Sequence, residues 1–77
     1  MIRWGEVRRA LRLDITEQPV LREKVGKKII FWFKNNGDGR VAELVMAIKE
    51  RGIPVEIQWD ENEGLTGICL DYAVIRS

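Results

Sequence analysis

The chain has 77 residues, 45% apolar and 32% charged, with a formal net charge of +1. That composition fits one small α+β domain over residues 1–77, near the lower size limit for a single hydrophobic core, and excludes a disordered or low-complexity chain. No apolar run exceeds five residues, against the roughly 20 that a membrane-spanning helix needs, and no apolar stretch follows the early arginines as it would in a secretory leader.

In chain order, Trp4, Val7, Ala10 and Leu11 recur at helical spacing with arginines between them, which predicts an amphipathic helix over residues 3–13. Leu11, Leu13 and Ile15 also alternate with Arg12, Asp14 and Thr16, so residues 10–16 read equally as a short strand. Thr16 is a candidate cap for a second short helix, with Pro19 in its first turn and Gly26 as its stop. Residues 1–26 are therefore expected to form a basic helical segment.

Residues 27–77 read as a β-α-β-β core. The stretch KIIFWFK from Lys28 to Lys34 is β-branched and aromatic and predicts a strand. Asp38 is a candidate N-cap, and Val41, Leu44, Val45 and Ile48 mark one face of a long helix that Gly52 and Pro54 end. Val55, Ile57 and Trp59 alternate with polar residues in a second strand, and Thr66–Ile75 returns as a third after the polar loop at residues 60–64. The second strand alternates as a half-wet edge does, whereas the third is apolar on nearly both faces. A three-stranded sheet in the order first-third-second follows, with the long helix on one face.

The missing residue types constrain chemistry. There is no histidine, the one serine is Ser77, and Cys69 is the only cysteine. An imidazole base, a nucleophile–histidine pair and an internal disulfide are therefore all excluded, and a reducing cytoplasm is the expected compartment. The loop at residues 35–40 has two glycines and two flanking cations, yet it lacks a phosphate-loop pattern, and Asp38 puts a carboxylate where an anion would sit. It reads as a turn and cap. The acidic loop Asp60–Gly64 does not match calcium-ligand spacing and reads as a solvated hairpin. Asp71 interrupts an apolar strand and is expected to face water or pair with a cation, while Cys69, Tyr72 and Trp59 read as packing residues. No catalytic residue, metal, cofactor or small-molecule substrate is expected.

Charge is uneven. Residues 1–28 carry eight basic against four acidic groups, a net of +4, and residues 29–77 carry five against eight, a net of −3. Ile29, Phe31 and Phe33 should face the helix, so Ile30 and Trp32 should point to the opposite face, with Ile75 nearby. The N-terminal segment, a second copy or another protein would have to cover that patch. The expected function is a small, non-enzymatic interaction module that associates with a protein partner or with itself through Ile30, Trp32 and Ile75. The alternative is a nucleic-acid-binding module in which Arg3, Arg8, Arg9 and Arg12 meet phosphates and Trp4 stacks on a base.

Overall fold

The computed structural model describes residues 2–35 and 39–76. Its elements are α1 (Trp4–Leu11), β1 (Leu21–Val25), β2 (Lys28–Lys34), α2 (Arg40–Glu50), β3 (Val55–Asp60), β4 (Leu65–Asp71) and the short α3 (Tyr72–Arg76). The class is α+β. The four strands form one antiparallel sheet in the order β1-β2-β4-β3. β2 and β3 flank β4, so they run parallel to each other and are joined through α2. The expected three-stranded sheet is thus extended by a fourth strand at the β2 edge.

That extra strand corrects the reading of residues 16–26 as a second helix. Leu21–Val25 pairs with β2 from Leu21↔Trp32 to Val25↔Lys28, leaving Gly26 and Lys27 as a two-residue hairpin turn. Gly26 has φ +62°, and Arg12 is the one described non-glycine residue with positive φ. A left-handed glycine followed by an ordinary residue is the type II′ pattern, whose twist suits a hairpin. The glycine that looked like a helix stop closes a hairpin instead.

Strand alternation sorts the side chains. Ile29, Phe31 and Phe33 of β2 lie opposite Leu70, Ile68 and Thr66 of β4 and face the helices. Trp4 of α1 sits on this layer, its ring 5.0 Å from Phe31 and 5.1 Å from Phe33, tilted and edge-on respectively. Its indole N–H donates to the Glu17 carbonyl at 3.0 Å, so the polar end of a buried ring is satisfied. Val7 and Leu11 of α1, and Leu44, Val45 and Ile48 of α2, complete one continuous core. Asn36, Gly37 and Asp38 lie outside the described residues, and with them the expected cap at Asp38; the N-cap position of α2 is Gly39.

Asp71 ends β4 by starting a helix. Its Oδ1 accepts the Ala73 N–H at 2.9 Å, the side-chain bond that favours aspartate at a helix start. The chain therefore turns at Tyr72, and the expected strand over Thr66–Ile75 stops four residues early. Ile75, on α3, is only 8% exposed and belongs to the helix-side core. It does not share a face with Trp32, which corrects its expected place in the interface.

Residues 10–16 are neither wholly helix nor strand. α1 ends at Leu11, and Arg12 adopts a left-handed conformation with φ 54°. The Arg51 side chain then donates to the Leu11 and Arg12 carbonyls and to the Ala47 carbonyl of its own helix, tying the end of α1 to α2. A left-handed turn is where glycine is usual and other residues are strained. Arg12→Gly removes that strain without touching the carbonyl that Arg51 holds, and is expected to stabilise the fold by about 0.5–1 kcal/mol. Chemical denaturation checks this, since the midpoint should rise with an unchanged slope.

Candidate interaction surface

The sheet has one covered face and one open face. All three helices lie on the covered face, so the N-terminal segment does not shield the other one, where Leu21, Glu23 and Val25 of β1 align with Trp32, Ile30 and Lys28 of β2. Ile30 and Cys69 are neighbours there across β2 and β4, yet they are only 3% and 4% exposed. Side chains of the sheet itself hide them. The Trp32 ring lies across Gly67, so close that a Cβ on Gly67 would stand 2.8 Å from it and 2.9 Å from Ile30 Cγ2. Glu23 Oε1 accepts the Trp32 indole N–H at 3.4 Å.

On the other side of Cys69, Lys28 on β2 reaches across β4 to Glu56 on β3, with Nζ–Oε1 at 2.6 Å. The hydrogen bond to Glu56 holds the Lys28 ammonium above its usual range. Both side chains are well exposed, so the pair contributes little to stability. Burial pushes the Cys69 thiol above its usual range, against a smaller pull from Lys28, which makes it a poor nucleophile near neutral pH.

The expected interface therefore breaks up. Ile30 is buried beneath Trp32, Ile75 is in the core on the far side, and Trp32 alone of the three is half-exposed.

The arginine reading changes too. Trp4 is buried at 4% exposure with its N–H engaged, so it has no free ring face to offer a base. Arg8, Arg9 and Arg12 do gather, lining a shallow concavity of about 510 Å³ with Gly5, Leu13 and Asp14. Arg3, Arg9 and Arg12 are exposed; Arg8 is half-buried, and its Nε has no hydrogen-bond partner among the described residues. Among the described residues no three carboxylate or thiol groups gather as a cation site, and no helix is long and apolar enough to cross a membrane.

Sequence reasoning places β3 at an edge, as found, but misses the exposure of its apolar residues. β3 is the outermost strand on its side, and its residues 56–59 are all exposed. Val55, Ile57 and Trp59 point to the helix face, as their pairing with Leu70, Ile68 and Thr66 requires. Only Val55 packs well against the core; Ile57 is 39% exposed and Trp59 is 66% exposed. Beside Trp59 a recess of about 240 Å³ runs along Asn35, Asp60, Glu61, Gly64 and Leu65. Trp59 was expected in the core, since the alternation of VEIQW gives the face of each residue and not whether a helix reaches that far. The opposite edge, β1, is exposed at all five positions but carries Arg22, Glu23 and Lys24.

Together these features define a two-layer α+β fold whose β3 edge exposes Ile57 and Trp59. No family model, no curated protein and no solved structure matches the chain.

Proposed function

We propose that this chain is a protein-association module that works through the β3 edge of its sheet. The observation that carries the reading is Trp59, a tryptophan two-thirds exposed on an edge strand. An edge strand offers a row of backbone donors and acceptors to another strand, and soluble domains usually blunt such edges with charge, proline or a covering element. β1 has that protection in Arg22, Glu23 and Lys24. β3 carries Glu56 and Asp60, but between them run Ile57, Gln58 and Trp59. Strand addition supplies main-chain bonds, and alternate side chains such as Ile57 and Trp59 supply grip.

The test is a titration of isotope-labelled protein with short extended peptides that alternate valine and threonine, followed by amide and indole NMR signals. Shifts should concentrate on β3 and on the Trp59 indole, and Ile57→Lys should abolish them while leaving the rest of the spectrum in place. Shifts confined to β1 or to the face around Trp32, or none with peptide in large excess over a protein that is itself a single chain, would reject the reading. The second reading, an anionic partner in the Arg8–Arg9–Arg12 concavity, has the unpartnered Arg8 Nε in its favour. It takes over if a short oligonucleotide shifts α1 signals with an affinity that falls steeply with salt.

A further inference from the structure

Resting on that reading of β3, we infer that the occupant of the edge is β3 of a second copy, paired antiparallel about a two-fold axis at Ile57. A two-fold axis normal to the sheet keeps each side chain on its own face, so only residues of the same parity can stand opposite one another. Four such registers pair three or more residues of the strand. The one centred on Trp59 pairs only three, Gln58 with Asp60 about Trp59, leaving Val55 and Glu56 unmatched and setting Ile57 against Glu61 beyond the strand. Centring on Glu56 sets Glu56 against itself, and centring on Gln58 sets Glu56 against Asp60 of the other copy. Both place like charges side by side, which is destabilising.

Centring on Ile57 has neither fault. Ile57 meets Ile57, Val55 meets Trp59 on both sides, and Glu56 meets Gln58 on both sides. The apolar contacts fall on the helix face, where Ile57 and Trp59 are exposed, and the polar ones fall on the open face. The aromatic–β-branched pairing is among the favourable cross-strand combinations.

The same test applied to β1 fails in every register that pairs three or more of its residues. Centring on Glu23 pairs Glu23 with itself and Arg22 with Lys24, and centring on Arg22 or Lys24 sets like cations face to face. One edge of the sheet thus repels its own copy and the other matches it. The product is a closed dimer with a continuous eight-stranded sheet, since each copy contributes four strands, and the repelling β1 edges sit at both ends. Five paired residues a side make a small interface, so the dimer forms reversibly.

Sedimentation over a micromolar-to-millimolar series is expected to show the mass rising from one chain to two and stopping there. Ile57→Lys should remain a single chain at every concentration with an unchanged circular dichroism spectrum; Trp59→Thr is the second variant if Ile57→Lys does not fold. Register is read by oxidation in a Cys69→Ala background. Directly opposed residues have Cα atoms about 4.5–5.5 Å apart, inside the disulfide range of roughly 4.4–6.8 Å, so Ile57→Cys should link to itself. Glu56→Cys and Gln58→Cys, each roughly 7–8 Å from its own copy on the diagonal, should not self-link, but a mixture of the two should.

A single-chain mass at all concentrations, a dimer that survives both Ile57→Lys and Trp59→Thr, or links at other positions would overturn the inference. So would a mass that climbs without limit, the mark of β1 joining β3 head to tail. The peptide titration is scored separately: β3 shifts with a monomeric protein reject the second copy and keep the association edge, and the absence of both rejects the two together.

Discussion

Trp4→Ala is expected to cost about 3–5 kcal/mol of stability, a large share of the roughly 4–12 kcal/mol that a chain of this length has in total. The size of the effect follows from the position of the ring. Trp4 is the piece of α1 that reaches the centre of β2, lying against Phe31 and Phe33. It also holds the Glu17 carbonyl and so anchors the segment that leads into β1. An α-helix of eight residues is unstable in water on its own, so once its main anchor is gone α1 has little reason to stay on the sheet. Trp4→Phe keeps a ring and loses the N–H, leaving the Glu17 carbonyl without its donor, and should cost about 1–3 kcal/mol. Urea denaturation of the three proteins checks the order. A loss below about 1 kcal/mol for Trp4→Ala would mean that the ring is not the anchor it is taken to be.

The same residue shows how far the sequence could be read. Trp4, Val7 and Leu11 at helical spacing identified α1 and its buried face, and β2, α2 and β3 were visible from equally plain periodicities. The central place of β4 was visible in its two-sided apolar pattern, because a strand flanked on both edges and covered on one face has few wet positions. β1 was hidden. Leu21–Val25 is exposed at every position, so no burial pattern marks it, and its identity comes from pairing with a strand that follows it in the chain. Pro19 and Gly26 fit a short helix locally, and the hairpin turn at Gly26–Lys27 outweighs them through five paired residues. Asp71 gave a local signal of its own, an aspartate ahead of a short apolar stretch, but the run from Thr66 masked it as a strand interruption.

The candidate surface was legible only in part. Which residues share a face follows from alternation, so the sequence pattern alone sets Ile30 and Trp32 on the face opposite Phe31. Whether a face is open depends on where helices land, and that is a tertiary fact. Ile30 is sealed by Trp32 lying over a glycine on the neighbouring strand, a contact between residues 35 positions apart with no periodic signature. Trp59 went the other way. It has the hydrophobicity of a core residue, but it stands near the end of an edge strand and outside the core cluster, and so it is exposed.

Gly67→Val is expected to break that seal, at a cost of about 1–3 kcal/mol or more. The first atom of any side chain at Gly67 would lie 2.8 Å from Trp32 Cζ3 and 2.9 Å from both Trp32 Cε3 and Ile30 Cγ2, well inside the roughly 3.5–4.0 Å of a comfortable carbon contact. Intrinsic strand preference runs the other way, because a residue with a Cβ normally stabilises a strand interior relative to glycine. A loss of stability therefore isolates the steric term. Gly67→Ala is the milder version and should be destabilising for the same reason. If the clash is with the ring, Trp32→Ala should relieve much of it, and the double-mutant cycle should return a coupling of about 1–3 kcal/mol. The thiol of Cys69 gives a second readout. It lies beside Ile30 under the same cover, and burial now holds its pKa up. Displacing Trp32 admits water, lets the pKa fall toward its ordinary value and should speed alkylation at mildly alkaline pH. Because the folded thiol titrates above the unfolded one, stability in the parent declines as pH rises past the ordinary thiol value of 9.0, and this decline should be smaller in Gly67→Val. Unchanged stability together with unchanged thiol reactivity would show that β4 can shift to admit a side chain and that the Trp32–Gly67 contact is not what closes the open face.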